Sequence, residues 1–227
     1  MSGSHRRSVG APNEPPPPHG LARRAWHRDE AVEFLEAPDR RESQDPEVLF
    51  DRVHLAVGES VVDVGAGTGY FAVVAARRVG PRGIVHAVDL SEELVELLAE
   101  RAARESLPQL VPLRSSAAEI PLPDSVADLV LLANVLHDVP DSTVAEAVRT
   151  LRPDGRLVNV DWRKVRGTPR GPPIDIRLTP RAAEARLGRH GLVAVDRFRF
   201  GPWHYGIVMR HRPTPHGPPR LRARRSA

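Results

Sequence analysis

Between residues 60 and 162 the chain alternates two hydrophobic rhythms. Short β-branched or aliphatic runs read as strands at 60–64, 84–88, 110–113, 127–134 and 156–162, while apolar positions spaced three and four apart read as helices at 70–79, 91–104 and 142–151. Ser91 supplies the start of the second helix as an N-cap. Alternation of this kind predicts a parallel sheet with helices on both faces. Upstream, two shorter helical patterns occupy 30–37 and 46–54; Pro38 separates them, and Asp45-Pro46 gives the second an N-cap followed by proline at its first position. They are expected to lie over one end of the main domain.

The last two strand patterns, 192–200 and 203–209, are separated only by Gly201-Pro202. A parallel crossover needs a dozen or more residues, whereas a connection this short makes a hairpin. The expected fold is therefore α/β: a doubly wound, mostly parallel seven-stranded sheet whose last strand is antiparallel. An all-parallel dinucleotide-binding sheet does not have that ending.

Composition changes the picture mainly at the ends. Residues 1–28 carry +4 and residues 210–227 carry +6, which leaves −6 on residues 29–209 of a chain whose net charge is +4. The basic character thus belongs to the termini and not to the folded body. Residues 1–25, with Pro15-Pro16-Pro17-Pro18, and 211–227 are expected to be disordered, flanking a domain at 26–210 whose first part, 26–55, is a helical cap. Arginine tails can hold RNA through counterion release, but the acidic body and the lack of a basic aromatic stripe count against nucleic acid as the partner. Cysteine is absent, which excludes disulfides, thiolate metal sites and a cysteine nucleophile. The apolar run Leu129-Val130-Leu131-Leu132-Ala133 falls far short of the ~20 residues of a membrane span, and no apolar leader opens the chain; a cytoplasmic location is expected. No His/Asp/Glu spacing suggests a metal site.

The chemistry begins at Val61-Val62-Asp63-Val64-Gly65-Ala66-Gly67-Thr68-Gly69-Tyr70, where a strand runs into three glycines at alternate positions and then into a helix. Glycine permits the tight turn and a close backbone approach, and the helix start offers unpaired N–H groups. The third glycine is at 69, while the dinucleotide fingerprint needs it at 70, where Tyr70 stands. Asp89 ends the next strand, where a carboxylate can accept both hydroxyls of a ribose. Loop and carboxylate together point to a nucleoside-containing ligand; a purely structural turn is the other reading.

With these motifs the chain resembles the class I S-adenosylmethionine-dependent methyltransferases, in particular the type 11 group near the ubiquinone/menaquinone and arsenite methyltransferase-like enzymes. The resemblance spans residues 46–210 and rests also on Val88-Asp89-Leu90-Ser91, on residues 117–124, on Asn134-Val135-Leu136-His137-Asp138-Val139 and on residues 151–157. It implies a Rossmann-like methyltransferase fold, to which an antiparallel last strand is proper, and S-adenosyl-L-methionine as cofactor. By position, Asp63, Gly65, Ala66 and Gly67 line its methionine half, Asp89 holds the ribose, Leu90 packs on the adenine, Ser116 and Ala117 flank the adenine amine, and Asn134 faces the methionine moiety. Many relatives have aspartate where Ser116 stands. The Asn/Asp-Pro-Pro-Tyr tetrapeptide of base-amine methylation is absent from 134–137, and arsenic binding would need thiols that the chain lacks.

The implied reaction is an in-line displacement at a good leaving group, in which positioning can supply much of the rate. The expected acceptor is a small molecule. If a base is needed, His137 is the candidate, since it lies just past a strand at the carboxyl edge where open α/β sheets bind ligands. Residues 164–178, with five Gly or Pro, read as an acceptor wall or lid, or else as a solvated connection. His204 and Tyr205 read as sheet packing or as part of the acceptor mouth. Two alternatives to turnover remain at this level: a catalytically silent cofactor-binding module, and an RNA-associated methyltransferase using its basic tails.

Overall fold

The computed structural model describes residues 28–169 and 171–213. The tail expected at 1–25 lies outside the described residues, as does the one expected at 211–227 except for residues 211–213, of which His211 still belongs to the last strand. Three short helices come first: α1 (Arg28–Leu35), α2 (Arg40–Ser43) and α3 (Pro46–Arg52). The last of them begins where its cap signal predicts, with the Asp45 carboxylate accepting from the Glu47 N–H at 2.9 Å. There follow β1 (Ser60–Val64), α4 (Ala72–Val79), a 3-10 turn (Gly80–Arg82), β2 (Ile84–Asp89), α5 (Glu92–Arg104), β3 (Leu110–Arg114), β4 (Ala127–Ala133), α6 (Asp141–Thr150), β5 (Leu151–Trp162), α7 (Pro180–Gly188), β6 (Leu192–Phe200) and β7 (His204–His211).

All seven strands form one sheet in the order β3-β2-β1-β4-β5-β7-β6, in which β7 runs antiparallel to both of its neighbours. The expected hairpin is there, and it inserts β7 between β5 and β6. Strand order reverses between β1 and β4, so a crevice opens at their carboxyl ends, where ligands of open α/β sheets bind. Every residue of β1 is buried, as a central strand covered on both faces requires. Alternate residues serve the two sides: Val61 packs with α3, α4 and α5, while Val62 and Val64 pack with α6 and α7.

The structure differs from the sequence expectation in three places. β5 starts at Leu151, five residues early: Leu151 pairs with Ala127, the chain loops out, and Arg156 resumes opposite Leu129. Pro153 and Gly155 make that interruption look like a strand start in the sequence. α2 is a single turn between prolines, too short for a period to show. α7 buries only Ala183 and Leu187, which hides its apolar stripe, although Thr179-Pro180 carries the same cap-and-proline signal as Asp45-Pro46.

Candidate functional site

The glycine segment leaves β1 at the switch point. Gly65 has φ +72°, and a Cβ there would lie 2.7 Å from Val135 Cγ2, so the loop after β4 can pack against it only because the side chain is missing. Gly69 has φ +87°, and a Cβ would strike Leu98 of α5. These two glycines therefore let the turn close against its neighbours. The sequence reading expected unpaired N–H groups at the helix start; in the turn before it, three N–H groups are bonded within the protein. Gly65 and Ala66 both donate to the Val88 carbonyl, at 2.8 and 3.0 Å, and Gly67 donates to Asp89 Oδ2 at 2.8 Å. Such a loop offers shape more than an anion nest.

Asp89 ends β2 facing that loop. Its other oxygen, Oδ1, accepts from Ser91 N at 3.0 Å, so each oxygen makes one main-chain bond and keeps acceptor capacity. Burial raises its pKa, and the Ser91 and Gly67 N–H groups pull it back. Leu90 is half-buried beside it. Asp63, 2% exposed, stands in β1 next to β2: burial, then the nearby Asp89 charge, pushes its carboxyl up to about 7 against the opposing pull of Arg40. Arg40 is itself lowered to about 10 by burial; its guanidinium sits 3.9 Å from the Tyr70 ring centroid and donates to the Leu35 carbonyl.

Asn134 follows β4 with φ +60°. Its Nδ2 donates to Gln44 Oε1 at 2.7 Å, while its own Oδ1 is buried without a hydrogen-bond partner. Gln44, in the link after α2, also sets its Nε2 2.8 Å from His204 Nε2 and accepts from the Tyr70 hydroxyl on its carbonyl at 3.0 Å. Burial, with Arg40 second, pushes His204 down to about 3, so it is a neutral ring receiving the Gln44 amide hydrogen. Glu36 adds a second tie, accepting from Thr68 Oγ1 at 2.6 Å and from Arg101 at 2.8 Å. The N-terminal helices thus close over the glycine loop. Gln44, Arg40 and Glu36 were not singled out in the sequence, where they sit in a polar stretch with no motif of their own.

Ser116 and Ala117 form a turn beyond β3: Ser116 N donates to the Glu119 carbonyl at 3.0 Å, and the Ala117 carbonyl accepts from Ser142 and Thr143 at 2.9 and 2.7 Å. That turn is pinned to the start of α6. His137 lies at the carboxyl edge between β4 and β5, with Nδ1 2.8 Å from Asp161 Oδ1 and its backbone N–H 3.3 Å from Asp161 Oδ2. Tyr205 and His204, the possible mouth residues, are 5% and 0% exposed and pack within the sheet. Within the segment after β5, one buried side chain gathers the main chain around itself. Arg177, 5% exposed, donates to the carbonyls of Pro172, Arg163 and Val165 and to Thr168 Oγ1, and it lies 5.4 Å from the Trp162 ring centroid. Elsewhere, a groove of about 520 Å³ lies between residues 119–123 and α6, and its Arg149 is taken up by the Ile120 and Leu122 carbonyls and by Glu146 and Asp124. Among the described residues no cluster of three metal-binding side chains occurs, and no helix is long and apolar enough to cross a membrane.

Known proteins resemble this one in both sequence and fold. Residues 62–159 match the methyltransferase domain family. A demethylmenaquinone methyltransferase of Listeria monocytogenes is 32% identical over 106 residues, 46% of this chain and 45% of that protein. An uncharacterised methyltransferase of Mycobacterium bovis is 41% identical over 119 residues, 52% of this chain and 45% of that one. The chain thus spans a little under half the length of the curated relatives it matches. Among solved structures, a SAM-dependent methyltransferase from Aquifex aeolicus superposes with a TM-score of 0.74 at 28% identity, over 78% of this chain and 95% of that one.

Proposed function

We propose that this chain, which carries the domain and fold of the class I S-adenosylmethionine-dependent methyltransferases, moves a methyl group from S-adenosylmethionine to a small-molecule acceptor. One observation carries the reading: Asp89, at the end of β2, is bonded to Gly67 across the glycine loop while each of its oxygens can still accept from a ribose hydroxyl. The other residues fit the same ligand. S-adenosylmethionine brings an ammonium and a sulfonium, and the crevice offers the paired carboxylates Asp63 and Asp89 together with the unpartnered Asn134 Oδ1. A glycine turn whose Gly65, Ala66 and Gly67 N–H groups are already bonded suits a cationic methionine chain better than a pyrophosphate.

In this reading Gly65, Ala66 and Gly67 shape the methionine half, Leu90 packs on the adenine, and Ser116 and Ala117 flank its amine. When bound, the cofactor supplies a methyl group on a positively charged sulfur. The protein's part is to bind, orient and exclude water. The cap ties through Gln44 and Glu36 close the loop side, and the Trp162–Arg177 wall closes the other. His137 stands between β4 and β5 as the group able to take a proton. Calorimetric titration with S-adenosylmethionine, S-adenosylhomocysteine and NAD tests the reading. Micromolar binding of the first two and none of the third is expected; binding of none, or of NAD alone, would overturn it.

A further inference from the structure

Resting on that reading, we infer that Asp161 positions His137 as a general base, and that the acceptor therefore presents a weakly acidic hydroxyl to the methyl group. Asp161 lies on β5, between β4 and β7, with its side chain fully buried. It accepts three hydrogen bonds: from the His137 ring at 2.8 Å, from the His137 backbone at 3.3 Å and from Trp162 N at 2.8 Å. A carboxylate only accepts, so His137 Nδ1 carries a hydrogen, and in the neutral ring Nε2 is the nitrogen with the lone pair. Free imidazole has no such fixed choice.

The loop bearing His137 is held as firmly as its ring. Arg186 of α7 donates to the Leu136 and Val139 carbonyls on either side, Leu136 is fully buried, and Asp138 N returns to the Val135 carbonyl at 2.9 Å. Three residues earlier, Asn134 faces the cap and the glycine loop, so one short segment links the cofactor crevice to the base. A histidine kept only for packing needs neither the buried acid nor the fixed tautomer.

The class of acceptor follows from what such a base is for. A thiol ionises near pH 8 to 9 unaided and a neutral amine attacks with its own lone pair, whereas a phenolic hydroxyl, with a pKa of about 10, needs its proton removed as the bond forms. The hydroxyl oxygen forms its bond to the methyl carbon as the carbon–sulfur bond breaks and its electron pair stays on sulfur. The hydroxyl proton passes to His137 Nε2; the resulting imidazolium is stabilised by Asp161 and later gives the proton to water.

Nitrogen NMR of the histidine-labelled full chain, with His137→Gln for assignment, reads the tautomer without cofactor or acceptor. Wild type is expected to show Nδ1–H for His137, and Asp161→Asn to shift the ring toward Nε2–H. An Nε2–H ring in wild type would overturn the dyad. Release of S-adenosylhomocysteine is then followed with matched aromatic rings bearing hydroxyl, amine or thiol groups. Turnover of the hydroxylated ring is expected, falling on the order of 10²-fold or more in His137→Gln and in Asp161→Asn with cofactor affinity unchanged. Turnover only of the amine or thiol, indifferent to His137, would overturn the acceptor class, as would no turnover by a protein that binds cofactor. A protein that shows the tautomer but binds no cofactor would instead bring down the methyltransferase reading on which the class rests.

Discussion

Asp89 and Asp63 are both carboxylates at the ends of neighbouring strands, yet their surroundings give them different work. Asp89 is held by two main-chain N–H groups and stays an acceptor. Asp89→Ala is expected to weaken S-adenosylmethionine binding by ~1.5–3 kcal/mol, because it removes a charge-assisted contact and frees Gly67 N. Calorimetry reads this directly, and unchanged affinity would remove Asp89 from the ribose site. Asp63 is pushed up to about 7 from an ordinary 3.8, so the fold prefers it protonated. A carboxyl with a raised folded pKa gives stability that is whole below about pH 4 and is lost as pH rises toward 7. Asp63→Asn mimics the neutral form. Its melting temperature should match wild type near pH 4 and exceed it at pH 8, by a free energy on the order of 1–3 kcal/mol. His204 loses stability in the opposite direction as pH falls below its ordinary 6.5, but it is common to both proteins and cancels. An equal gap at both pH values would contradict the assignment.

At the scale of elements, the loops after β4 and β5 are built to keep their shape. The wall over Trp162 depends on one side chain: Arg177 satisfies three carbonyls and a hydroxyl of the same loop. Gly171 belongs to that fit, since a Cβ there would come within 2.8 Å of the Trp162 ring. Arg177→Ala should leave those acceptors unpaired and raise hydrogen exchange across residues 163–178, at a local cost of ~1–3 kcal/mol, while the strands keep their protection. Unchanged exchange would mean that the wall stands without Arg177. The loop's Gly and Pro content was legible in the sequence and left both a wall and a solvated connection open. Arg177, one arginine among many, carried no sign that its guanidinium turns inward.

Across the whole molecule, the N-terminal helices and the sheet meet through Gln44, which reaches Asn134 and His204 at sequence separations of 90 and 160. Gln44→Ala should loosen residues 28–44 in hydrogen exchange, cost ~1–3 kcal/mol of stability and weaken cofactor binding. Retained protection there would show that the Glu36 and Leu35 contacts suffice. The sequence by itself determined the alternation of strand and helix, the antiparallel ending, the glycine turn after β1 and the acid at the end of β2. Each of these is written in a local period, in a residue's backbone freedom or in the length of a connection. Only the tertiary structure decided that the Gly65, Ala66 and Gly67 N–H groups are already used, that Gln44 bridges cap and sheet, and that Asp161 is the partner of His137. Those pairings arise when segments far apart along the chain dock around a common core. A hydrogen bond between them depends on burial and orientation, which no local spacing records.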